Sequence, residues 1–473
     1  MTTTVSESSP PADEPTTPPT TTTATKPAIR PGAAVRMLAR RVHFLAGLAV
    51  APFLALLCLS GLAYAFTPQI TDLLYSDQLS VQAQDAPVQP LAEQVQTALA
   101  AHPQDKLSSV IPPATADRAT QVVLSEPGLG GSGFSAQART VYVDPYTDRI
   151  TGDLVTTSGR PPAIQWLRDF HGNLGLGDLG RLYSEFVASW LPFIVIGGLI
   201  LWIGQRRRKR RVRTMLLPEL GRPAGRARAQ AWHGPLGLWL AIGLIAVSIT
   251  GLTWSNYAGG RFDSAIAALD GKSPNLTAPK VVAPAGAQPI TVDTALQIAR
   301  TQGLQGLVTI TPPATKDKPF KVTESSDGLP IHKTSIAIDP YSQQVTATMG
   351  WQDYPLLAKL TTLGIAAHSG TLLGLTNQIA MALLALGTLA LMVLGYRMWW
   401  KRRPSGGGKR APAPPSVWRH LPRPVVFLAV LVTAALGWVM PVFGVSLVAF
   451  LLLDAAMSAV KRRPRATADS TTA

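Results

Sequence analysis

Residues 43–62 read HFLAGLAVAPFLALLCLSGL, and residues 233–252 read HGPLGLWLAIGLIAVSITGL. Each is an apolar run of about 20 residues, the length that crosses a hydrocarbon core of ~30 Å at a helical rise of ~1.5 Å per residue. In each, the histidine is followed four residues later by glycine and 18 residues later by Gly-Leu. A pattern shared this closely by two segments nearly 200 residues apart is the signature of an internal repeat, and it decides how the rest of the chain is read.

The repeat extends outward from these runs. His171 leads to Gly198 and Trp202, and His368 leads to Gly395 and Trp399, with 27 residues from histidine to glycine in both cases. Between the runs, Pro112-Pro113-Ala114-Thr115 recurs as Pro312-Pro313-Ala314-Thr315, and Asp144-Pro145-Tyr146 recurs as Asp339-Pro340-Tyr341. Duplication is the simplest account. Both halves start from the same side of the bilayer, so they are expected to be parallel repeats about an axis along the membrane normal.

Composition agrees with a membrane protein. Of 473 residues, 47% are hydrophobic and only 15% charged. Four runs are expected to span: Phe44 to Phe66, Phe186 to Ile203, Pro235 to Trp254 and Ile379 to Met398. A fifth apolar stretch, Val425 to Val460, is too long for one crossing and is interrupted by Pro441 and Gly444, which predicts a helical hairpin. The net charge of +16 sits beside these runs, at Arg36, Arg40 and Arg41, at 206–213, and at 401–410, which marks those flanks as cytoplasmic. The long segments between them are neutral to acidic, as translocated chain should be. This distribution speaks for membrane lipid as a partner and against nucleic acid.

The expected order along the chain follows. It is a disordered cytoplasmic tail (1–35), a first span (36–66), an extracytoplasmic module (67–180), a second span (181–204), a basic loop (205–231), a third span (232–254), a second module (255–374), a fourth span (375–400), a basic loop (401–423), the hairpin (424–460) and a cytoplasmic tail (461–473). No cleavable signal precedes the first span, which reads as a signal anchor. Each outer segment opens on a helical pattern (Leu91 to Ala101; Val292 to Gln302) and continues in alternating strand-like runs such as Thr120 to Leu124, so each is expected to be an α+β module. Cys58 is the single cysteine, which leaves no disulfide framework.

The four matched histidines fall in two layers. His43 and His233 stand where spans leave the basic side, while His171 and His368 precede spans that start outside. Each layer receives one histidine from each half. Neutral imidazoles projecting from facing helices are a common way for a bundle to hold haem iron, and bis-histidine ligation suits electron transfer because it leaves no open position. Two b-type haems, one per layer, are the expectation, with Arg40, Arg41, Arg168 and Arg397 as partners for the propionates. No carboxylate lies one turn from any of the four, which disfavours a bare metal site. His102, His332 and His420 lack matched partners and read as surface residues. Gly175-x-Gly177-x-x-Gly180 follows no strand and opens no βαβ unit, so it is not a dinucleotide site.

With its His-x3-Gly…Gly-Leu inbound helices, its His…Gly-x3-Trp returning helices and its Asp-Pro-Tyr strand ends, the chain from about residue 38 to 400 resembles the PepSY-associated transmembrane helix family. These are iron-regulated membrane proteins that include bacterial siderophore reductases. The resemblance implies an α-helical membrane protein with two inserted α+β PepSY-like modules, duplicated halves, four core spans and the C-terminal hairpin, located in a bacterial cytoplasmic membrane with both termini inside. It implies a haem-containing ferric reductase, the substrate being a ferric siderophore or other ferric chelate outside and the electron donor a quinol or a cytoplasmic reductase. Trp166, Tyr183, Trp351 and Tyr354 are candidates for the substrate's contact surface. The alternative is a membrane regulator or scaffold without a cofactor, whose outer modules bind proteins or peptides. A transporter is disfavoured by the lack of charged or broken helices at matched midplane positions.

Overall fold

A computed structural model describes residues 2–4, 31–206, 212–326, 328–401 and 423–460. Most of the tail expected at 1–35, the basic stretches at 207–211 and 402–422, His420 and the tail at 461–473 lie outside the described residues.

The first half runs α1 (Pro31–Ala65), α2 (Thr67–Leu74), α3 (Ser76–Leu79), α4 (Leu91–Ala101), β1 (Lys106–Ile111), β2 (Thr120–Ser125), β3 (Gln137–Val143), β4 (Ile150–Thr157), α5 (Pro162–Asn173), α6 (Gly177–Arg206) and α7 (Val212–Leu216). The second half runs α8 (Arg226–Leu252), α9 (Tyr257–Ala268), α10 (Val292–Thr301), β5 (Val308–Thr311), β6 (Phe320–Ser325), β7 (Lys333–Ile338), β8 (Val345–Met349), α11 (Leu356–Ser369) and α12 (Leu375–Trp400). Two apolar helices follow, α13 (Arg423–Val439) and α14 (Pro441–Val460).

Four helices are long and apolar enough to cross a membrane, at Val35–Ala65, Gly177–Gln205, Arg226–Leu252 and Leu375–Trp400. They close into a ring, since α1 and α8 each pack against both α6 and α12. α13 and α14 are shorter and turn on each other around Met440, where the helix breaks before Pro441. Their glycines allow the close approach: a Cβ built on Gly444 would stand 2.8 Å from Gly437 Cα. Phe443 of α14 packs on Trp190 and Phe193 of α6, with ring centroids 5.0 and 4.4 Å apart. At the hairpin tip, the Arg261 guanidinium of α9 lies 4.4 Å above the Trp438 ring. Because α9 follows the C-terminal end of α8, the tip lies level with the end of that helix.

Between the spans, the strands form one eight-stranded antiparallel sheet in the order β4-β3-β2-β1-β5-β6-β7-β8. The two expected α+β stretches meet in this one sheet. Two four-stranded meanders are joined edge to edge through β1 and β5, with Val110 opposite Ile310. An unpaired β1 or β5 would leave a row of open backbone donors and acceptors, and the pairing removes both edges. One core serves the whole sheet. Alternate residues of the strands (Val122, Leu124, Val141; Ile310, Val322, Ile336) meet the apolar stripes Leu91-Val95-Ala98 of α4 and Val292-Ala295-Ala299 of α10. Asp293 of α10 accepts from the backbone N–H of Leu91 (2.6 Å) and Ala92 (2.9 Å), so a carboxylate of one half caps the helix of the other.

The two repeated outer motifs have one job. Asp144 and Asp339 each accept from the N–H two residues on, at 2.9 and 2.8 Å, which turns the chain after its strand. The turn aims Tyr146 Oη at the Ala116 carbonyl (3.0 Å) and Tyr341 Oη at the Lys316 carbonyl (3.4 Å), just past each Pro-Pro-Ala-Thr.

Candidate functional site: two facing histidine pairs

The bundle brings His43 of α1 and His233 of α8 to a ring-centroid separation of 6.1 Å, with the planes at 75°. Farther out, His171 of α5 and His368 of α11 face each other at 6.4 Å and 67°. Each layer therefore joins one histidine from each half.

The matched glycines are the seats of these rings. A Cβ built on Gly198 of α6 would come within 2.9 Å of His43 Cε1, and one on Gly395 of α12 within 3.8 Å of His233 Cε1. In the outer layer the inbound helices serve: a Cβ on Gly61 would lie 3.1 Å from His171 Cε1, and one on Gly251 3.5 Å from His368 Cε1. Within each half, the inner histidine rests on the returning span and the outer histidine on the inbound span.

Hydrogen bonds engage Nδ1 in all four rings. His43 Nδ1 lies 2.7 Å from the Ile194 carbonyl and His233 Nδ1 3.1 Å from the Leu391 carbonyl. A carbonyl only accepts, so both rings are Nδ1–H tautomers. His171 Nδ1 meets Ser60 Oγ at 2.9 Å, and His368 Nδ1 meets Thr250 Oγ1 at 2.8 Å. Those hydroxyls donate to the carbonyls one turn back, Ser60 to Leu56 (2.7 Å) and Thr250 to Ala246 (2.8 Å). With their protons so placed, these hydroxyls are open to accept from an Nδ1–H, the tautomer that leaves Nε2 for a metal. Burial lowers both outer histidines to about 4, His171 with a further contribution from His368 opposite, so both are neutral near pH 7. Tyr64 lies nearly parallel to His171 (6.3 Å, 16°), and Trp254 covers His368 (6.1 Å, 39°).

The donor sets can be tested against a haem. A metal–nitrogen bond of about 2.0 Å on each side, plus about 1.1 Å from nitrogen to ring centre, would put the centres of two opposed imidazoles about 6.2 Å apart. The two observed separations bracket that figure. A cavity of about 450 Å³ lies between α1, α6, α8 and α12 and is lined by both inner histidines, Gly47, Gly237, Trp202 and Trp399. A Cβ on Gly47, one turn past His43, would meet nothing within 4 Å. Among the described residues no group of three or more His, Cys, Asp or Glu forms. The inner pair fits the group by spacing and cavity, and the outer pair by spacing.

The other site residues expected from sequence are placed as follows. Arg40 lines the inner cavity, and Arg41 beside it is buried. Arg397 is exposed on α12 and is not among the lining residues. Arg168 lies one turn before His171 on α5. The aromatic candidates fall into three separate places. Trp166 is 64% exposed and stacks on Phe170 (5.4 Å), Tyr183 donates to the Phe53 carbonyl (3.2 Å) between α6 and α1, and Trp351 pairs with Tyr354 (5.2 Å) before α11.

Sequence reading missed five residues here. Arg226, at the start of α8, lines the inner cavity together with Arg40. Ser60 and Thr250 immediately precede the repeated Gly-Leu, and Tyr64 and Trp254 lie three residues past its glycine. Extending the repeat by one position upstream and three downstream would have exposed both pairs.

No curated protein matches the chain. The family described as PepSY-associated TM region matches it over residues 40–402, a stretch that begins just before His43, ends after α12 and takes in all four histidines. The chain is a multi-pass membrane protein that belongs to the PepSY-associated TM region family.

Proposed function

We propose that the protein carries electrons outward across a bacterial cytoplasmic membrane and reduces an extracytoplasmic ferric chelate, a ferric siderophore foremost, for iron acquisition. The observation that carries this reading is the meeting of the four histidines in two pairs, with ring centroids 6.1 and 6.4 Å apart, near the spacing that two imidazoles on one iron would take. His43 and His233 would hold an inner haem b, and His171 and His368 an outer one, with Arg40 and Arg226 available to the inner propionates. When bound, the haems supply one-electron carriers with no open coordination position. The chain's own part is to orient the four imidazoles and to keep the outer pair buried and neutral.

The electrons balance with a quinol as donor. One quinol releases two electrons and two protons and becomes a quinone, and two ferric chelates each take one electron to become ferrous. A cytoplasmic reductase would deliver the same electrons singly. Iron(II) binds hard oxygen ligands less tightly than iron(III), so reduction frees the metal. The matched spacings and the mirror order of the sheet support a duplicated origin of the halves. The depth reached by the α13–α14 tip supports six crossings, with both termini cytoplasmic.

The test is an optical spectrum of the detergent-purified chain, oxidised and dithionite-reduced, with pyridine haemochrome quantification. Two b-type haems per chain, followed by oxidation of the reduced protein on adding a ferric chelate, is the expected result. Protein made with ample haem that carries none would overturn the reading and favour a cofactor-free scaffold whose outer sheet binds proteins or peptides.

A further inference from the structure

The two layers hold their imidazoles by different acceptors. Inner Nδ1 atoms meet backbone carbonyls, those of Ile194 and Leu391, while in the outer layer His171 meets the Ser60 hydroxyl and His368 meets the Thr250 hydroxyl with the Val247 carbonyl also in reach. An amide carbonyl is the stronger acceptor. It draws the Nδ1 proton further and makes Nε2 a more electron-rich ligand, which stabilises the oxidised metal and lowers its potential. A hydroxyl does so less. Cations flank both layers: Arg40 and Arg226 line the inner cavity, Arg168 sits one turn before His171, and Arg160 interacts with Tyr64.

We infer that Ser60 is a positioning residue that sets the direction of electron flow: by holding His171 through a hydroxyl where the inner pair uses carbonyls, it would keep the outer haem at the higher potential. With both haems bound, transfer from the inner to the outer would run downhill. The Ser60 hydroxyl lies in reach of the Leu56 carbonyl for its own proton, so it is open to accept from His171 Nδ1–H, the tautomer that leaves Nε2 for the metal. The inference rests on the haem reading above, and it assigns a role to a residue that touches neither substrate nor metal.

The experiment is an optical redox titration of the full-length chain in lipid nanodiscs. The outer signal is assigned by its loss in His171→Ala, and the inner signal by its loss in His43→Ala. In the wild type the outer haem is expected at the higher potential. Ser60→Ala, which removes the acceptor, should raise it further and leave the inner potential in place. Ser60→Asp, which offers a carboxylate, should lower it, and Ser60→Thr should restore the wild-type value. Ser60 is the cleaner position, because the Val247 carbonyl is also within reach of His368. An outer potential at or below the inner one in the wild type overturns the inference, as does an outer potential that ignores both Ser60→Ala and Ser60→Asp. If Ser60→Ala fails to retain the outer haem, the wild-type order and Ser60→Asp still decide. A wild type without any haem sinks the parent reading as well, whereas haem present with unresponsive potentials sinks this inference alone.

Discussion

The inner and outer histidine layers share a spacing, an engaged Nδ1 and a glycine seat, yet they are built from different material. The inner pair belongs to two long spans and leans on two others, in an apolar ring where backbone carbonyls are the acceptors at hand. The outer pair belongs to the short helices α5 and α11, which lie between the sheet and the bundle, and it is held by hydroxyls and flanked by Tyr64 and Trp254. The difference teaches that two sites with the same ligands need not have the same function. Position, tautomer and spacing decide whether a haem fits, and the identity of the second partner decides how it behaves.

Removing a ligand breaks the comparison most severely. His43→Ala and His171→Ala should each abolish one haem, the inner and the outer respectively, halving the haem content while the other signal survives. Pyridine haemochrome and reduced spectra check this, and loss of both haems in either variant would mean that the layers are not independent.

The glycine seats come next, because they differ between halves in the same sense in both layers. Contacts are tighter in the first half, 2.9 Å at Gly198 against 3.8 Å at Gly395, and 3.1 Å at Gly61 against 3.5 Å at Gly251. Gly198→Ala is therefore expected to displace His43 and lose most of the inner haem, while Gly395→Ala retains it. Gly61→Ala should weaken the outer site more than Gly251→Ala. Equal losses in the two members of a pair would show that the seats do not discriminate.

A smaller effect sharpens the electrostatic side. The folded state holds His171 and His368 near 4, whereas an unfolded chain titrates them near 6.5. Between those values the unfolded state binds more protons, so stability is full above about pH 6.5 and falls as pH drops toward 4. Thermal unfolding of haem-free protein across that window should show the fall, and His171→Phe should flatten part of it. The smallest effect lies outside both layers. Asp293→Ala removes a cap that ties the halves of the sheet together and should cost about 1 kcal/mol. Its melting temperature should drop while both haems remain.

Much of the fold could be read from the chain because the bilayer imposes a one-dimensional rule. Apolar length, flanking arginines and repeated spacings located the four long helices and the break before Pro441, and they picked out the four histidines. The glycines were legible as repeated positions, although not as seats, since spacing does not say which helix a residue faces. The partners of the aromatic candidates were not legible: Trp166 meets Phe170, Tyr183 meets the Phe53 carbonyl, and Trp351 meets Tyr354.

What the sequence by itself determined was the set of spans, their matched halves and the histidines at their ends, all consequences of local hydropathy and of spacing along one strand of covalent chain. Only the tertiary structure decided that the two meanders fuse through β1 and β5 into one sheet, a pairing between residues 200 apart that removes two open edges and that no local pattern announces. It also decided that carbonyls hold the inner imidazoles and hydroxyls the outer ones, because a hydrogen-bond partner is chosen by which atoms the packed helices leave within 3 Å of each other.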